Sequence, residues 1–392
     1  MNRGAFAEIS LPAIVHNLQS VKKIVKNRPV IAVVKADAYG HGILEVSKRL
    51  IREGVYCLAV AYTSEAIELR TAGINIPIIV LFDRRNIKDF FDFRLIPVIH
   101  KMDTATSLSH EAKKRSTIIN VHVKVDTGMG RLGLNGNRVT EDLIRISEMD
   151  GVEITGLLSH FSEADLSDRS YAVAQLERFN KIRETLSEKL KRKIFSHIAN
   201  SAAVLAFQDA HLDAVRPGLM LYGYSPFNHK SDVSPPSHPS PSRGEGKGRG
   251  GNSERINLIP AMSIKTKILN IRNVPSGTPI SYGRTFITKR PSRIGVLPLG
   301  YADGYSRFFS NNADVLVKGR RVPVVGTICM DLTMIDLTGV KDVREDDEVI
   351  ILGKEGKESI TAQELAHRAN TIPYEILTSL GGKSKRVYVE AR

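Results

Sequence analysis

Apolar positions recur at spacings of three and four near the start of the chain: Leu11, Ile14, Val15, Leu18, Val21, Ile24 and Val25. That spacing lays one apolar stripe along a helix, and Ser10 stands where an N-cap side chain would accept a free amide. A short apolar run at 30–34 follows and predicts a buried strand. The same texture then repeats. Segments 57–60, 76–82, 96–100, 118–125, 154–160, 194–198 and 212–216 predict seven more strands, and helical patterns such as Ser170–Leu190 separate most of them. Eight strands with intervening helices predict a (β/α)8 barrel of the TIM type, with a doubly wound parallel sheet as the structural runner-up.

The pattern breaks at 230–253, where Pro, Gly and Ser dominate and no periodic apolar face is possible. Such a tract buries too little surface to offset its ordering entropy and predicts a disordered linker or insertion. Beyond it, 256–274, 293–299, 313–317, 322–327, 334–337 and 348–352 are β-rich, and only 361–368 looks clearly helical. The expected organisation is an N-terminal strand within 1–10 that joins the later β domain, a barrel over 11–229, the low-complexity tract, and a mainly β C-terminal domain over 254–392.

Composition narrows the function classes. With 42% hydrophobic and 25% charged residues among 392, the chain is neither wholly disordered nor fibrous. Its two cysteines, Cys57 and Cys329, cannot form a disulfide framework, which predicts a reducing compartment. No apolar run is long enough to span a bilayer and the N-terminus lacks a signal-peptide core, so a cytoplasmic protein without a membrane partner is expected. The net charge of +14 raises nucleic-acid binding. However, the basic residues (Lys22, Lys23, Arg52, Arg84, Lys191, Arg290, Arg320, Arg321) are scattered, with few aromatics among them and no Trp. An anionic ligand or solubility accounts for the charge as well, and no nucleic-acid partner is expected.

In a barrel, chemistry gathers where strands end. The first strand ends at Lys35, in VVKADAYGHG. One reading is a surface lysine that snorkels to water; the other is a Schiff-base lysine, a desolvated amine reactive toward aldehydes. The fifth strand alternates, with Ile119, Val121, Val123 and Val125 on one face and Asn120, His122, Lys124 and Asp126 on the other. A turn through Asp126, Thr127, Gly128 and Gly130 leads to Arg131, which is otherwise an ordinary surface arginine after a capped turn. The sixth strand ends in His160; a lone histidine there is more often structural than catalytic. Asn200 and Ser201 stand where a helix begins after the seventh strand, and Arg216 with Pro217, Gly218 and Leu219 ends the eighth. Phosphate sites in barrels commonly form after strands seven and eight. A strand-end lysine facing a phosphate site suggests a phosphorylated aldehyde cofactor, pyridoxal phosphate. No metal is expected.

These segments resemble a family, the bacterial alanine racemases, which are pyridoxal-phosphate enzymes built from a barrel and a β domain. AVVKADAYGHG, HVKVDTGMGRLG, HIANSAAV, VRPGLMLYG, SYGRTF, LGYADGY, VGTICMD and TIPYEILTSLG match in order, over nearly the whole chain outside 230–253. The resemblance implies that Lys35 carries the cofactor and acts as one acid/base, with Tyr282 as the opposite base. It implies that Arg216 bonds the pyridine nitrogen, that His160 packs near the cofactor and bonds Arg216, and that Tyr39, Ser201, Gly218, Leu219 and Tyr374 hold the phosphate. Arg131 would contact the cofactor's phenolic oxygen and the substrate carboxylate, oriented by a carbamylated Lys124. Met330 would offer a backbone N–H to that carboxylate, and Tyr301 would line the entrance.

The expected activity is interconversion of L- and D-alanine by a two-base mechanism, supplying D-alanine for peptidoglycan, in a homodimer with shared active sites. A broad-specificity racemase of the same fold is the alternative. A non-catalytic pyridoxal-phosphate carrier would share only the barrel. A related decarboxylase would share the architecture but not TICMD or VRPGLMLYG in this form. The ending GGKSKRVYV departs from the family's usual one, which has a proline before the arginine, and is expected to touch none of these site residues.

Overall fold

The computed structural model describes residues 4–26, 28–227 and 256–390. The tract at 230–253 lies outside the described residues, as do the domain limits drawn at 229 and 254.

The chain opens with strand β1 (Phe6–Ser10) and the helix Leu11–Val25. The Ser10 side chain caps that helix by accepting from the Ala13 amide at 3.3 Å, and Leu11, Ile14, Leu18, Val21 and Val25 are its buried face. Seven strands then form one parallel sheet in chain order: β2 (Ile31–Val33), β3 (Cys57–Val60), β4 (Ile78–Val80), β5 (Ile96–Ile99), β6 (Ile119–Lys124), β7 (Val152–Leu158) and β8 (Phe195–His197). β2, β3 and β4 are buried throughout, as continuous apolar runs require when helices cover one face and the barrel interior fills the other.

The eighth strand expected at 212–216 forms only one bridge, Val30 to Val215. The segment nevertheless closes the ring. Val215 donates to Pro29 O (3.1 Å) and Ile31 to Val215 O (2.9 Å) on one side, while Asp213 donates to Ser196 O (3.1 Å) and Arg216 to Ala199 O (2.9 Å) on the other. The ladder cannot lengthen because Leu212 has φ 46° and Pro217 has no N–H to donate.

The later strands are β9 (Met262–Lys267), β10 (Asn270–Val274), β11 (Pro279–Ile280), β12 (Phe286–Ile287), β13 (Ser292–Leu297), β14 (Asp314–Val317), β15 (Arg320–Pro323), β16 (Thr333–Asp336), β17 (Glu348–Glu355), β18 (Glu358–Ile360) and β19 (Lys385–Val389). The main sheet runs β15-β14-β17-β9-β1-β19, with β18 beside β17; β10-β13-β16 form a second sheet and β11-β12 a hairpin. β1 thus lies between β9 and β19, antiparallel to the first and parallel to the second. Two large cores result, one inside the barrel wall and one under the main β sheet.

The reading of 361–368 as the sole clear helix after the tract is corrected. Ala362–Arg368 is helical, but so is Pro373–Lys383. Its proline sits in the first turn, where the missing N–H costs nothing, and Ile376, Leu377 and Leu380 bury its apolar face. No described helix is long and apolar enough to cross a membrane.

Candidate active site

A cavity of about 710 Å³ opens at the C-terminal ends of the barrel strands. Lys35, Tyr39, Lys124, Arg131, His160, Ser201, Arg216, Gly218, Leu219 and Tyr374 all line it. The barrel strands and their loops supply nine of these; Tyr374 comes from the Pro373–Lys383 helix, which leans over the mouth.

Lys35 follows β2 by two residues. Burial holds its amine below the ordinary lysine range, the Arg131 guanidinium adds to this, and Glu65 opposes it. Lys35 Nζ lies 5.3 Å from the centre of the Phe82 ring, and Arg131 Cζ lies 5.8 Å from the same ring. The backbone after Lys35 is unusual: Ala36, Asp37, Ala38 and Tyr39 have φ of 52°, 55°, 53° and 55°, one left-handed turn without glycine. Each such residue costs about 1–2 kcal/mol, so the surroundings must impose the turn. Glu65 does so in part. Its carboxylate accepts from the Ala36 amide (2.5 Å), from Ala61 (2.7 Å) and from Tyr62 (3.2 Å). His41 Nδ1 lies 3.0 Å from both Ala38 O and Tyr39 O, so it carries the proton and donates to them.

The turn delivers Tyr39 into the barrel mouth. Its ring stacks on Tyr222 (4.7 Å between centres) and lies 5.8 Å from that of Tyr374. Its hydroxyl sits against Gly218: a Cβ there would come within 2.4 Å of the Tyr39 oxygen. Ser201 Oγ accepts from the Gly218 amide (3.0 Å) and from Met220 (3.4 Å), pinning the loop before the 3-10 turn Leu219–Tyr222 to the start of the helix Ser201–Ala206. Asn200 caps that helix, accepting from Ala203 at 3.0 Å.

Across the cavity, Arg216 is buried without a carboxylate among its hydrogen-bond partners. It donates to His197 O (2.7 Å), Ser159 O (2.6 Å), Ile198 O (3.2 Å) and the imidazole nitrogens His197 Nδ1 (2.5 Å) and His160 Nδ1 (3.4 Å). Burial pulls its pKa down to about 9, still protonated at neutral pH. His160 lies two residues beyond the end of β7 rather than ending it.

In β6, His122 and Lys124 are buried and Asn120 is exposed, so only part of the polar row faces the interior. Lys124 Nζ donates to Leu132 O at 2.5 Å, and burial followed by Arg131 lowers its pKa to about 8. The turn after β6 is capped by Asp126, which accepts from Gly128 (2.9 Å) and Met129 (2.8 Å) and so carries the chain to Arg131 at the cavity rim.

Tyr282, Met330 and Tyr301 do not line this cavity. They stand exposed on the β domain, at 73%, 54% and 43% of their full surface. They form one face nonetheless: Thr327 Oγ1 donates to Tyr282 O (3.0 Å), Ser281 Oγ donates to Thr327 O (2.5 Å), Tyr301 N donates to Cys329 O (3.1 Å), and Ala302 N donates to Met330 O (3.0 Å).

Sequence reasoning missed Glu65, Asp37, His41 and Arg386. Asp37 and His41 lie inside the lysine motif and were legible there; Glu65 and Arg386 act from 29 and 346 residues away, and no spacing marks them. The C-terminal ending is also closer to the site than expected, because Arg386 Nε donates to Gly40 O at 2.9 Å.

Comparison with known proteins agrees with this geometry. Residues 9–226 match the family model "Alanine racemase, N-terminal domain" and 261–388 match "Alanine racemase, C-terminal domain". The alanine racemase of Thermodesulfovibrio yellowstonii is 50% identical over 393 residues, covering 99% of both chains. Two crystal structures superpose over nearly the full length. Alanine racemase from Bacillus anthracis with bound L-Ala-P has a TM-score of 0.87 at 31% identity, covering 99% of this chain and 96% of that one. The Bartonella henselae enzyme with covalently bound pyridoxal phosphate has 0.83 at 29%, covering 98% and 99%. With both halves matched in order and half of all residues shared with a full-length relative, the chain belongs to the alanine racemase family.

Proposed function

We propose that this chain interconverts L- and D-alanine with pyridoxal phosphate in the barrel cavity, supplying D-alanine for peptidoglycan, and that it works in the cytoplasm as a homodimer. The observation that carries the reading is the cavity itself: a desolvated lysine and a buried arginine free of carboxylates line one chamber with Ser201, Tyr39 and Tyr374. This donor set fits the cofactor. The close approach of Tyr39 to Gly218 leaves a cradle that a Cβ would fill. Tyr39, Ser201, Gly218, Leu219 and Tyr374 would hold the phosphate.

When bound, the cofactor supplies an electron sink that acidifies the α-proton of an attached amino acid. Inversion then needs a base on each face, one to remove the proton and one to return it. Lys35 Nζ holds the proton on one face; its lowered pKa leaves more neutral amine near physiological pH. The Tyr282 hydroxyl serves the other face. Arg216, protonated at neutral pH, is the donor toward the pyridine nitrogen and does not surrender its proton. Arg131 and the Met330 amide take the substrate carboxylate. Carbamylation of Lys124, favoured by its lowered pKa, would turn a repelling neighbour of Arg131 into an attracting one. Tyr301 borders the entrance.

Support for the dimer comes from the exposed face. Tyr282, Met330 and Tyr301 cluster on the β domain yet none lines the cavity of its own chain. A second copy arranged head to tail would bring that face to the cavity and make two sites.

The test is incubation with L-alanine and measurement of D-alanine on a chiral column, alongside borohydride reduction and peptide mapping. D-Alanine should form and the label should sit on Lys35. Absence of D-alanine, or a label on another lysine, rejects the reading.

A further inference from the structure

The left-handed turn that places Lys35 and Tyr39 is also gripped from the far end of the chain. Arg386 lies on β19, in register with Ala7 of β1, so the main β sheet fixes its position independently of the barrel. Its guanidinium reaches the turn with two groups: Nε donates to Gly40 O (2.9 Å), and the charge pairs with the Asp37 carboxylate. A third bond, Nη2 to Gly381 O (3.0 Å), holds the last turn of the Pro373–Lys383 helix, which carries Tyr374. Asp37 is itself tied down, accepting from the Ile43 amide at 2.7 Å. The turn and the helix end approach so closely that a Cβ on Gly40, at φ +81°, would lie 2.5 Å from Leu377 O. One side chain therefore bridges three segments: the sheet, the turn between the lysine and the first tyrosine, and the helix bearing the second tyrosine.

We propose that Arg386 is a positioning residue for the cofactor site, clamping the left-handed turn of Lys35 and Tyr39 against the helix of Tyr374. The proposal rests on the cofactor reading above and extends it to a residue that touches neither cofactor nor substrate. Four consecutive left-handed residues without glycine do not persist unless the surroundings over-determine them. Glu65 secures the start of the turn and His41 its carbonyls; Arg386 secures its exit and couples it to the phosphate tyrosines. Its fork suits this task, because a planar guanidinium serves two carbonyls and a carboxylate at once, whereas an ammonium is a point charge.

The experiment uses the full-length chain and the variants Arg386→Ala, Arg386→Lys, Asp37→Asn and, as control on the same strand, Lys385→Ala. Two quantities are read well below the melting temperature: the dissociation constant of pyridoxal phosphate, and hydrogen exchange at the amides of 36–42 with and without cofactor. Arg386→Ala should raise the dissociation constant at least tenfold and speed exchange at 36–42 at least tenfold even without cofactor. Arg386→Lys and Asp37→Asn should fall between it and the native chain, and Lys385→Ala should match the native chain. A lowered melting temperature with native affinity and native exchange would show that Arg386 only anchors β19, and equal effects from Lys385→Ala would show the same. Should Arg386→Ala not fold, Arg386→Lys and Asp37→Asn decide: native values in both overturn the proposal. Reduction and mapping of the native enzyme separately decides whether Lys35 carries the cofactor, and exchange at 36–42 reports on Arg386 either way.

Discussion

At the scale of single residues, connectivity settles protonation. An arginine has only donors, so His197 Nδ1, 2.5 Å from Arg216 Nη1, must accept. Its proton then sits on Nε2, which lies 2.9 Å from His122 Nδ1 and donates to it. The chain Arg216–His197–His122 thus works with two neutral imidazoles, and protonating either would set a second cation near the guanidinium. Burial, with Arg216 adding to it, pulls His122 down to about 3; burial, with the nearby Arg386 charge adding to it, outweighs two backbone bonds to bring His41 to about 4. The sign follows directly. Below the unfolded value of about 6.5 the unfolded chain takes up protons that the folded chain refuses, so stability falls with falling pH from about 6.5 toward about 4 for His41 and about 3 for His122, and is flat in these groups above about 6.5. His41 alone should account for a loss on the order of 3 kcal/mol. Urea midpoints measured from pH 7 to 4 should fall, and His122→Gln should flatten part of the slope; a pH-independent native midpoint would contradict this. Tyr282 yields a kinetic expectation at the same scale. On the proposed two-base mechanism, Tyr282→Phe should slow α-proton removal from L-alanine far more than from D-alanine, because Lys35 would serve the opposite face. Solvent deuterium exchange from each enantiomer separately measures it, and equal losses would remove the two-base assignment.

Among elements, the barrel was legible because apolar runs and amphipathic stretches have different periods: six of its strands fall within the expected segments, and β7 overlaps its own but starts two residues earlier. What escaped the pattern has local causes. The eighth strand ends against Pro217 and shrinks to one bridge, and the helix Pro373–Lys383 hides behind a proline that reads as a breaker but sits in the first turn. β19 pairs in parallel with β1 across almost the entire chain, a contact no periodicity announces. Lys35, His160, Ser201 and Arg216 were legible because they follow strand ends, whereas Tyr39 and Tyr374, the latter on a helix, came only with the family resemblance; Glu65 and Arg386, which impose the left-handed turn, were not legible, since backbone strain has no sequence period. The loop between Arg216 and the 3-10 turn offers a test of how tightly these elements meet. In Gly218→Ala the added methyl would press on the Tyr39 hydroxyl, and Tyr39 cannot swing aside because Tyr222 stacks on its ring. Overpacking of this kind costs about 1–3 kcal/mol. Cofactor affinity should fall by about tenfold for each 1.4 kcal/mol lost, read by titration of the cofactor-free chain. Native affinity would mean that Tyr39 yields without cost.

For the whole molecule, the decisive fact is the separation of Lys35, in the cavity, from Tyr282, exposed on the β domain. If a second copy unites them, inactive chains can repair each other. Lys35→Ala and Tyr282→Phe, each nearly inactive, are unfolded and refolded together. Random pairing makes about half of the dimers mixed by two-fold symmetry. In each mixed dimer one site joins both defects. The other takes Lys35 from the Tyr282→Phe chain and Tyr282 from the Lys35→Ala chain, and is intact. Half of the dimers with one of two sites restored should return roughly a quarter of native activity. Sites built within a single chain would each keep one defect and recover nothing, so absence of activity in a mixture whose native mass is dimeric rejects the shared site.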